Sequence, residues 1–242
     1  TQTFPQNGLY KWYANGQLIG TGVDFPGFTI NNSRDFVAIK LVVESGHGCK
    51  PDSIEKRFYT YHQPTPAFTV STTEGCGPLQ VDIRNTTPDA GLFSYAWDFG
   101  NGQTSNAEQP GIISFLPNPN FGDTIYTVRM TTHSVCSKTV LTKDILVKSK
   151  PKALFAPDIT VGCSPMTVRF NNTSAGNQNQ YTWDFGDGSP LVTNNDRSPV
   201  SHVFMTATRD TFHVKLLVEN ECGADSMTYS IVVSPNTIKL DF

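Results

Sequence analysis

Alternating apolar and polar residues recur along the chain and predict β-strands. The segments 38–43, 126–131 and 212–218 alternate with a period of two and are rich in β-branched and aromatic side chains. Clusters of Pro and Gly separate these segments, and no segment keeps the 3.6-residue apolar period of an amphipathic helix. The pattern therefore predicts an all-β fold.

The same landmarks return at a nearly constant interval, which is the signature of an internal repeat. Residues 95–102 read YAWDFGNG, and residues 181–188, 86 positions later, read YTWDFGDG. A copy of about this length has the size of a seven-stranded β-sandwich. Intervals of 87 and 86 residues also separate two pairs of cysteines, which are Cys76 and Cys163, and Cys136 and Cys222.

A third, more diverged copy lies at the N-terminus. Trp12 precedes Trp97 by 85 residues, and Cys49 precedes Cys136 by 87. At the other end, Phe242 falls at the position of a strand that opens the preceding copy. We therefore expect an N-terminally incomplete copy at 1–63, complete copies at 64–150 and 151–236, and the first strand of a further copy at 237–242.

The repeated motif Trp-Asp-Phe-Gly-[Asn/Asp]-Gly follows Cys-x-Pro and precedes an alternating strand. In this arrangement it resembles the signature of the PKD (polycystic kidney disease) domain. The resemblance implies a tandem array of Ig-like, PKD-like seven-stranded β-sandwiches. The motif positions, which we interpret as structural, are Trp12, Trp97, Asp98, Gly100, Gly102, Trp183, Asp184, Gly186 and Gly188.

Elementary chemistry also favours a structural role for this motif. A tryptophan in the middle of a strand can fill the space between two sheets, and an aspartate before a turn can accept backbone N–H groups. Asp184 and Asp187 could instead bind Ca²⁺, but two carboxylates fall short of its oxygen shell. We therefore expect that the protein binds no cofactor. The alternative is that it binds Ca²⁺.

The repeated cysteines favour one disulfide within each complete copy. We expect Cys76 to pair with Cys136 and Cys163 with Cys222. Each bond would close a loop and stabilise the folded copy by about 4 kcal/mol, because it lowers the chain entropy of the unfolded state. The alternative is a set of free thiols in a reducing compartment. Cys49 should be unpaired, because the repeat interval places its partner before residue 1.

Four segments of the form Asp-Ser/Thr-apolar resemble the O-glycosylation sequon of Bacteroidota. An aspartate at these places can also serve simply as the residue that begins a strand, so both interpretations stay open. The acceptor residues would be Ser53, Thr124, Thr211 and Ser226.

Composition and motifs argue against several functional classes. The net charge is −3 and the 18 Lys and Arg residues are scattered, so we expect no nucleic-acid partner. No apolar run reaches the roughly 20 residues that a membrane span requires. No nucleophile, phosphate-binding or metal-protease motif occurs, so we do not expect an enzyme.

The resemblance also carries an implication for function. PKD-like modules with cysteines are similar to those of large Bacteroidota surface proteins, including adhesins and gliding-motility proteins exported by type IX secretion. This implies an extracellular, cell-surface spacer or adhesive segment. Its partners would be neighbouring repeats, surface glycans or other surface and secretion-machinery proteins. The alternatives are a substrate-binding accessory module of a secreted protease, chitinase or collagenase, and a subunit of a surface fibre.

Overall fold

The computed structural model describes residues 8–30, 36–61 and 63–236. Within them it contains β-strands and one short 3-10 turn at Ala90–Leu92, which confirms the all-β prediction. The strand predicted at 237–242 lies outside the described residues. The strands are β1 (Gly8–Ala14), β2 (Gln17–Thr21), β3 (Phe36–Ser45), β4 (Asp52–Tyr59), β5 (Phe68–Val70), β6 (Glu74–Cys76), β7 (Leu79–Asn85), β8 (Ser94–Asp98), β9 (Thr104–Ser105), β10 (Gly111–Phe115), β11 (Thr124–His133), β12 (Lys138–Lys148), β13 (Phe155–Pro157), β14 (Val161–Cys163), β15 (Met166–Asn172), β16 (Gln180–Asp184), β17 (Val192–Asn194), β18 (Val200–Phe204), β19 (Asp210–Asn220) and β20 (Gly223–Ser234).

The chain forms two compact units. Unit 1 consists of Thr1–Thr65, Pro88–Ser94 and Thr132–Thr139, and the remaining segments form unit 2. Unit 2 contains most of both complete copies, so this division does not separate 64–150 from 151–236. The boundaries of the predicted domains therefore stay predictions.

Unit 1 contains a four-stranded antiparallel sheet with the order β2-β1-β3-β4. A two-residue turn, Asn15-Gly16, joins β1 to β2, and both residues have positive φ, at 47° and 82°. This is the backbone conformation that the tight, twisted turn of a hairpin requires. All eight residues of β4 are exposed, and its outer edge pairs with no strand among the residues that the structure describes.

Unit 2 contains the same arrangement of sheets twice. The order β10-β7-β5 of one three-stranded sheet corresponds to β18-β15-β13 of the other. The five-stranded sheets likewise correspond, with orders β6-β12-β11-β8-β9 and β14-β20-β19-β16-β17. The sheet of unit 1 follows the last four strands of this pattern, with β4 at the position of β20.

The first strand of each copy in unit 2 is divided between the two sheets. β13 pairs antiparallel with β15, whereas β14 pairs parallel with the end of β20 on the opposite sheet. β5 and β6 divide in the same way. Each copy thus has the predicted seven strands when the two halves are counted as one, and eight when they are counted separately.

Both sheets of the second complete copy enclose one apolar core. Trp183 is fully buried at its centre, where its ring lies 5.0 Å from Phe155 and 5.7 Å from Phe170. In the first complete copy, Trp97 is 2% exposed and lies 5.3 Å from Phe68. A tryptophan between two sheets therefore anchors each complete sandwich.

We expect Trp183→Ala to lower the free energy of unfolding by about 3–5 kcal/mol, because it leaves a large cavity in a closed core. Trp12→Ala is the matched control, since Trp12 is only half-buried, and it should cost clearly less. Urea denaturation followed by circular dichroism measures both losses without relying on tryptophan fluorescence. Equal losses would contradict the assignment of Trp183 as the core anchor.

Candidate functional site at the junction of the complete copies

A disulfide joins the two complete copies to each other. Cys76 lies at the end of β6 in the first, Cys222 lies in the turn between β19 and β20 in the second, and their Cα atoms are 5.4 Å apart. The predicted pairs Cys76–Cys136 and Cys163–Cys222 are therefore wrong. Among the described residues no disulfide contains Cys49, Cys136 or Cys163, and all three are exposed.

The length of the last strand explains why the predicted pairs do not form. Cys163 lies opposite Ser234, at the end of β20, whereas Cys222 immediately precedes the start of β20. Twelve residues of strand extend about 40 Å, but bonded cysteines have Cα atoms within about 7 Å of each other. Along β12 the same reasoning separates Cys76, opposite Lys148, from Cys136. The two cysteines of one copy thus lie at opposite ends of its sheet.

Three charged side chains lie beside this disulfide. The Lys148 ammonium is 2.9 Å from the Glu221 carboxylate of the second copy and 3.4 Å from the Glu74 carboxylate of the first. The hydrogen bond to Glu221 raises the pKa of Lys148 above its ordinary value, against the opposing effect of desolvation. Lys148 therefore links both copies through its side chain.

The connecting segment is itself held by both copies. Ser149 is 2% exposed, and its hydroxyl donates to the carbonyl of Gly122 at 2.8 Å in the first copy. Its own carbonyl accepts from the side-chain amide of Asn220 at 3.0 Å in the second copy. A further hydrogen bond, 2.9 Å long, joins the Asn177 amide to the Asp123 carboxylate. The junction is therefore fixed by a covalent bond and by several polar contacts.

The turn after each buried tryptophan is held by its own aspartate. Asp98 and Asp184 each accept the backbone N–H of the glycine two residues later, both at 2.9 Å. Gly186 has φ of +72°, and a Cβ there would lie 2.7 Å from the carbonyl oxygen of His213. Only glycine fits such a close approach. Gly100 is similar, with φ of +73°, and Gly102 and Gly188 also have positive φ.

Trp12 shares one feature with Trp97 but not the burial of the other two motif tryptophans. Its indole N–H donates to the carbonyl of Gly22 ten residues later, just as that of Trp97 donates to Ala107. Trp12 nevertheless lines an open apolar concavity of about 440 Å³ in unit 1. The interpretation of the motif tryptophan as one that fills the space between two sheets is therefore wrong for Trp12, because the described part of unit 1 contains a single sheet. The other lining residues include Phe25, Phe28, Leu41, Ile54 and Phe58.

Asp187, one of the two carboxylates considered for Ca²⁺, pairs with a histidine. Its Oδ2 atom lies 2.7 Å from Nε2 of His202, and its Oδ1 atom accepts the N–H of Ser189 at 3.1 Å. The His202 ring stacks on Phe185, with centroids 3.9 Å apart. No group of three His, Cys, Asp or Glu side chains in the described part of the chain is placed to hold a metal. The expectation about cofactors stays a prediction.

The ionisation of Asp187 is shifted by these neighbours. Burial raises the pKa of Asp187, but hydrogen bonds from Ser189 and His202 outweigh it and lower this pKa from 3.8 to about 2. The folded state thus favours the ionised carboxylate. The first complete copy has Asn101 at this position, where the amide donates to the carbonyl of Ser114 instead.

The predicted glycosylation residues all lie on strands. Ser53, Thr211 and Ser226 are exposed, and Thr124 is half-buried. The aspartate before each of them already has a structural role. Asp52 accepts the N–H of Ser53 and Asp210 that of Thr211. Asp123 accepts from the side-chain amide of Asn177, and Asp225 accepts the backbone N–H of Ala153. Their modification stays a prediction.

Comparison with known proteins confirms the PKD resemblance for the second complete copy. Residues 148–234 match the PKD domain family. Human polycystin-1 is 29% identical over 147 residues, which cover 52% of this chain and 3% of that protein, so the chain spans a small fraction of its curated relative.

Several solved structures also resemble the chain. The I67–I69 fragment of the titin I-band has a TM-score of 0.48 at 13% identity and covers 97% of this chain and 89% of that one. The ectodomain of mouse nectin-like molecule 4 has a TM-score of 0.48 at 14% identity and covers 84% of this chain and 75% of that one. Extracellular domains 3–5 of Drosophila OTK have a TM-score of 0.37 at 11% identity and cover 96% of this chain and 86% of that one. Separately, the described residues include no helix that could span a membrane.

We expect Asp187→Asn to make the stability of the protein less sensitive to acid. Because the pKa of folded Asp187 is lowered from 3.8 to about 2, its ionised form adds stability above about pH 4, and this contribution is lost as the pH falls towards 2. The variant should be less stable than the parent at pH 7, and the difference should shrink across that window. Denaturant midpoints at several pH values measure it. A difference that is the same at all pH values would mean that Asp187 acts through packing rather than charge.

Proposed function

We propose that this chain is a non-catalytic spacer or adhesive segment of a large extracellular protein, built from consecutive PKD-like repeats. The junction between the complete copies carries this proposal, because its disulfide, buried linker and ion pairs restrict the freedom of one repeat relative to the next. A spacer must keep its binding regions at a distance, and a flexible linker would not do so. An origin in a Bacteroidota adhesin or gliding-motility protein, reached through type IX secretion, is part of the proposal.

The position of the disulfide supports a load-bearing role within unit 2. It joins residues 146 positions apart in sequence, so most of both complete copies lies inside the closed loop. A force applied to the ends of the chain passes through the bond and bypasses the enclosed residues. The neighbouring hydrogen bonds of Ser149 and Asn220 can then hold the junction without carrying the whole load.

Single-molecule extension of the chain from its two ends tests this role. We expect the fully unfolded chain to be about 500 Å shorter without a reductant than with one, because the loop of 146 residues cannot extend. Cys163→Ser is the matched control and should leave this difference unchanged. An equal extension in both conditions would show that the bond bears no load, and unfolding of both copies near zero force would contradict a spacer.

The apolar concavity of unit 1 supports a second candidate, a module that binds an insoluble substrate for a secreted hydrolase. Aromatic rings such as those of Phe28 and Phe58 can contact sugars or polymer chains. Co-sedimentation with chitin, cellulose or collagen tests it. Retention that is lost in Phe58→Ser but kept in Ile112→Ser, which changes an exposed residue of β10 outside the concavity, would support this candidate. No retention of the parent chain would exclude these polymers.

A further inference from the structure

Cys163 and Cys76 occupy the same position in the two complete copies. Each is the last residue of a short strand that pairs parallel with the end of the last strand, Cys76 opposite Lys148 and Cys163 opposite Ser234. Both cysteines are exposed. Cys76 is bonded to the following copy, whereas Cys163 has no disulfide partner among the described residues.

Cys136 and Cys49 occupy the position of Cys222. Cys222 lies between β19 and β20, Cys136 lies between β11 and β12, and Cys49 lies between β3 and β4. These strand pairs correspond to one another in the sheet orders. The hairpin cysteine of the last copy is bonded to the copy before it, and the two earlier ones are exposed and free of disulfides within the described chain.

We propose that the bond between Cys76 and Cys222 is one step of a disulfide ladder, in which the first-strand cysteine of each repeat bonds to the hairpin cysteine of the next. Cys163 is then the attachment site for a hairpin cysteine of a following PKD-like repeat. Cys136 and Cys49 are attachment sites for first-strand cysteines of preceding repeats. This inference rests on the proposed array of consecutive repeats and names the bond that joins its members.

The charged contacts at the observed junction are not part of this general rule. At the repeat-equivalent positions, Val161 takes the place of Glu74, Ser234 that of Lys148 and Val135 that of Glu221. No ion pair of the same kind can therefore form from those residues at the neighbouring junctions. The copies share the positions of their cysteines but not these charges. The disulfide, rather than the ion pairs, is therefore the contact that can recur between neighbouring repeats.

The bond forms by ordinary thiol–disulfide exchange with a small disulfide such as oxidised glutathione. The thiolate of Cys163 attacks that disulfide, forms a mixed disulfide and releases one glutathione thiolate, which takes up a proton. The hairpin thiolate of the next repeat then attacks the sulfur of Cys163 and displaces the second glutathione. Two protein thiols are oxidised and one glutathione disulfide is reduced to two thiols, so electrons and protons balance.

A chain extended by one repeat tests the ladder. Residues 156–236 are appended after Phe242, so that Phe242 takes the place that Phe155 has in its own copy. The extended protein is refolded in a glutathione redox buffer, its free thiols are alkylated, and its disulfides are mapped without reduction. We expect Cys163 to lose its alkylation and to be bonded to the hairpin cysteine of the added copy, while the bond between Cys76 and Cys222 is retained.

Controls make the outcome decisive. In the extended chain, Cys163→Ser should leave the added hairpin cysteine alkylated and every other assignment unchanged. Alkylated Cys163 beside an intact Cys76–Cys222 bond would overturn the ladder while leaving the observed junction valid. A bond within one copy would overturn it as well. The disulfide mapping applies no force, so it tests the ladder alone. The spacer function is tested separately by the single-molecule extension.

The natural chain supplies a second test that does not depend on folding of the added copy. At high concentration in the same redox buffer, covalent dimers should join Cys163 of one molecule to a hairpin cysteine, Cys49 or Cys136, of another. Dimers joined through two Cys163 residues or through two hairpin cysteines, or the absence of covalent dimers, would contradict the proposal.

Discussion

The pairing of the divided first strand with the end of the last strand is the constraint on which the junction depends. The first strand of each complete copy begins in the three-stranded sheet as β5 or β13. It continues in the opposite sheet as β6 or β14, which pairs in parallel with β12 or β20. This step carries each first-strand cysteine to the far end of its sandwich. The hairpin cysteine stays at the near end, so a bond within the copy is geometrically excluded and a bond to the next copy becomes available.

The buried tryptophans and the turns that follow them serve this geometry by fixing the sandwich itself. Trp97 and Trp183 join the two sheets of their copies, and the aspartate next to each binds the turn that leads into the following strand. The motif that recurs in the sequence is therefore a folding device. The residues that distinguish this junction, such as Lys148 and Glu221, lie outside the motif and do not recur.

Much of the architecture could be predicted from the sequence, because strand alternation and the constant interval are local properties that need no knowledge of the sheets. The partner of Cys76 could not, since an interval identifies equivalent positions but not the end of the sheet at which each lies. The pairing of Asp187 with His202 was missed for a related reason. It depends on where β18 crosses the turn after Phe185, and no short-range pattern encodes that crossing. Trp12 was misplaced because its motif predicts a core without indicating what covers the sheet.

The disulfide between the complete copies has a consequence for resistance to proteolysis. Ser149 and its neighbours form the single backbone connection between the complete copies, and lysines on both sides of it are natural targets for proteases. Cys76 and Cys222 join the same two copies by another route. A single cleavage of the backbone beside Ser149 therefore leaves the two pieces covalently attached. The chain has two independent paths through this region, and both must be broken before it parts.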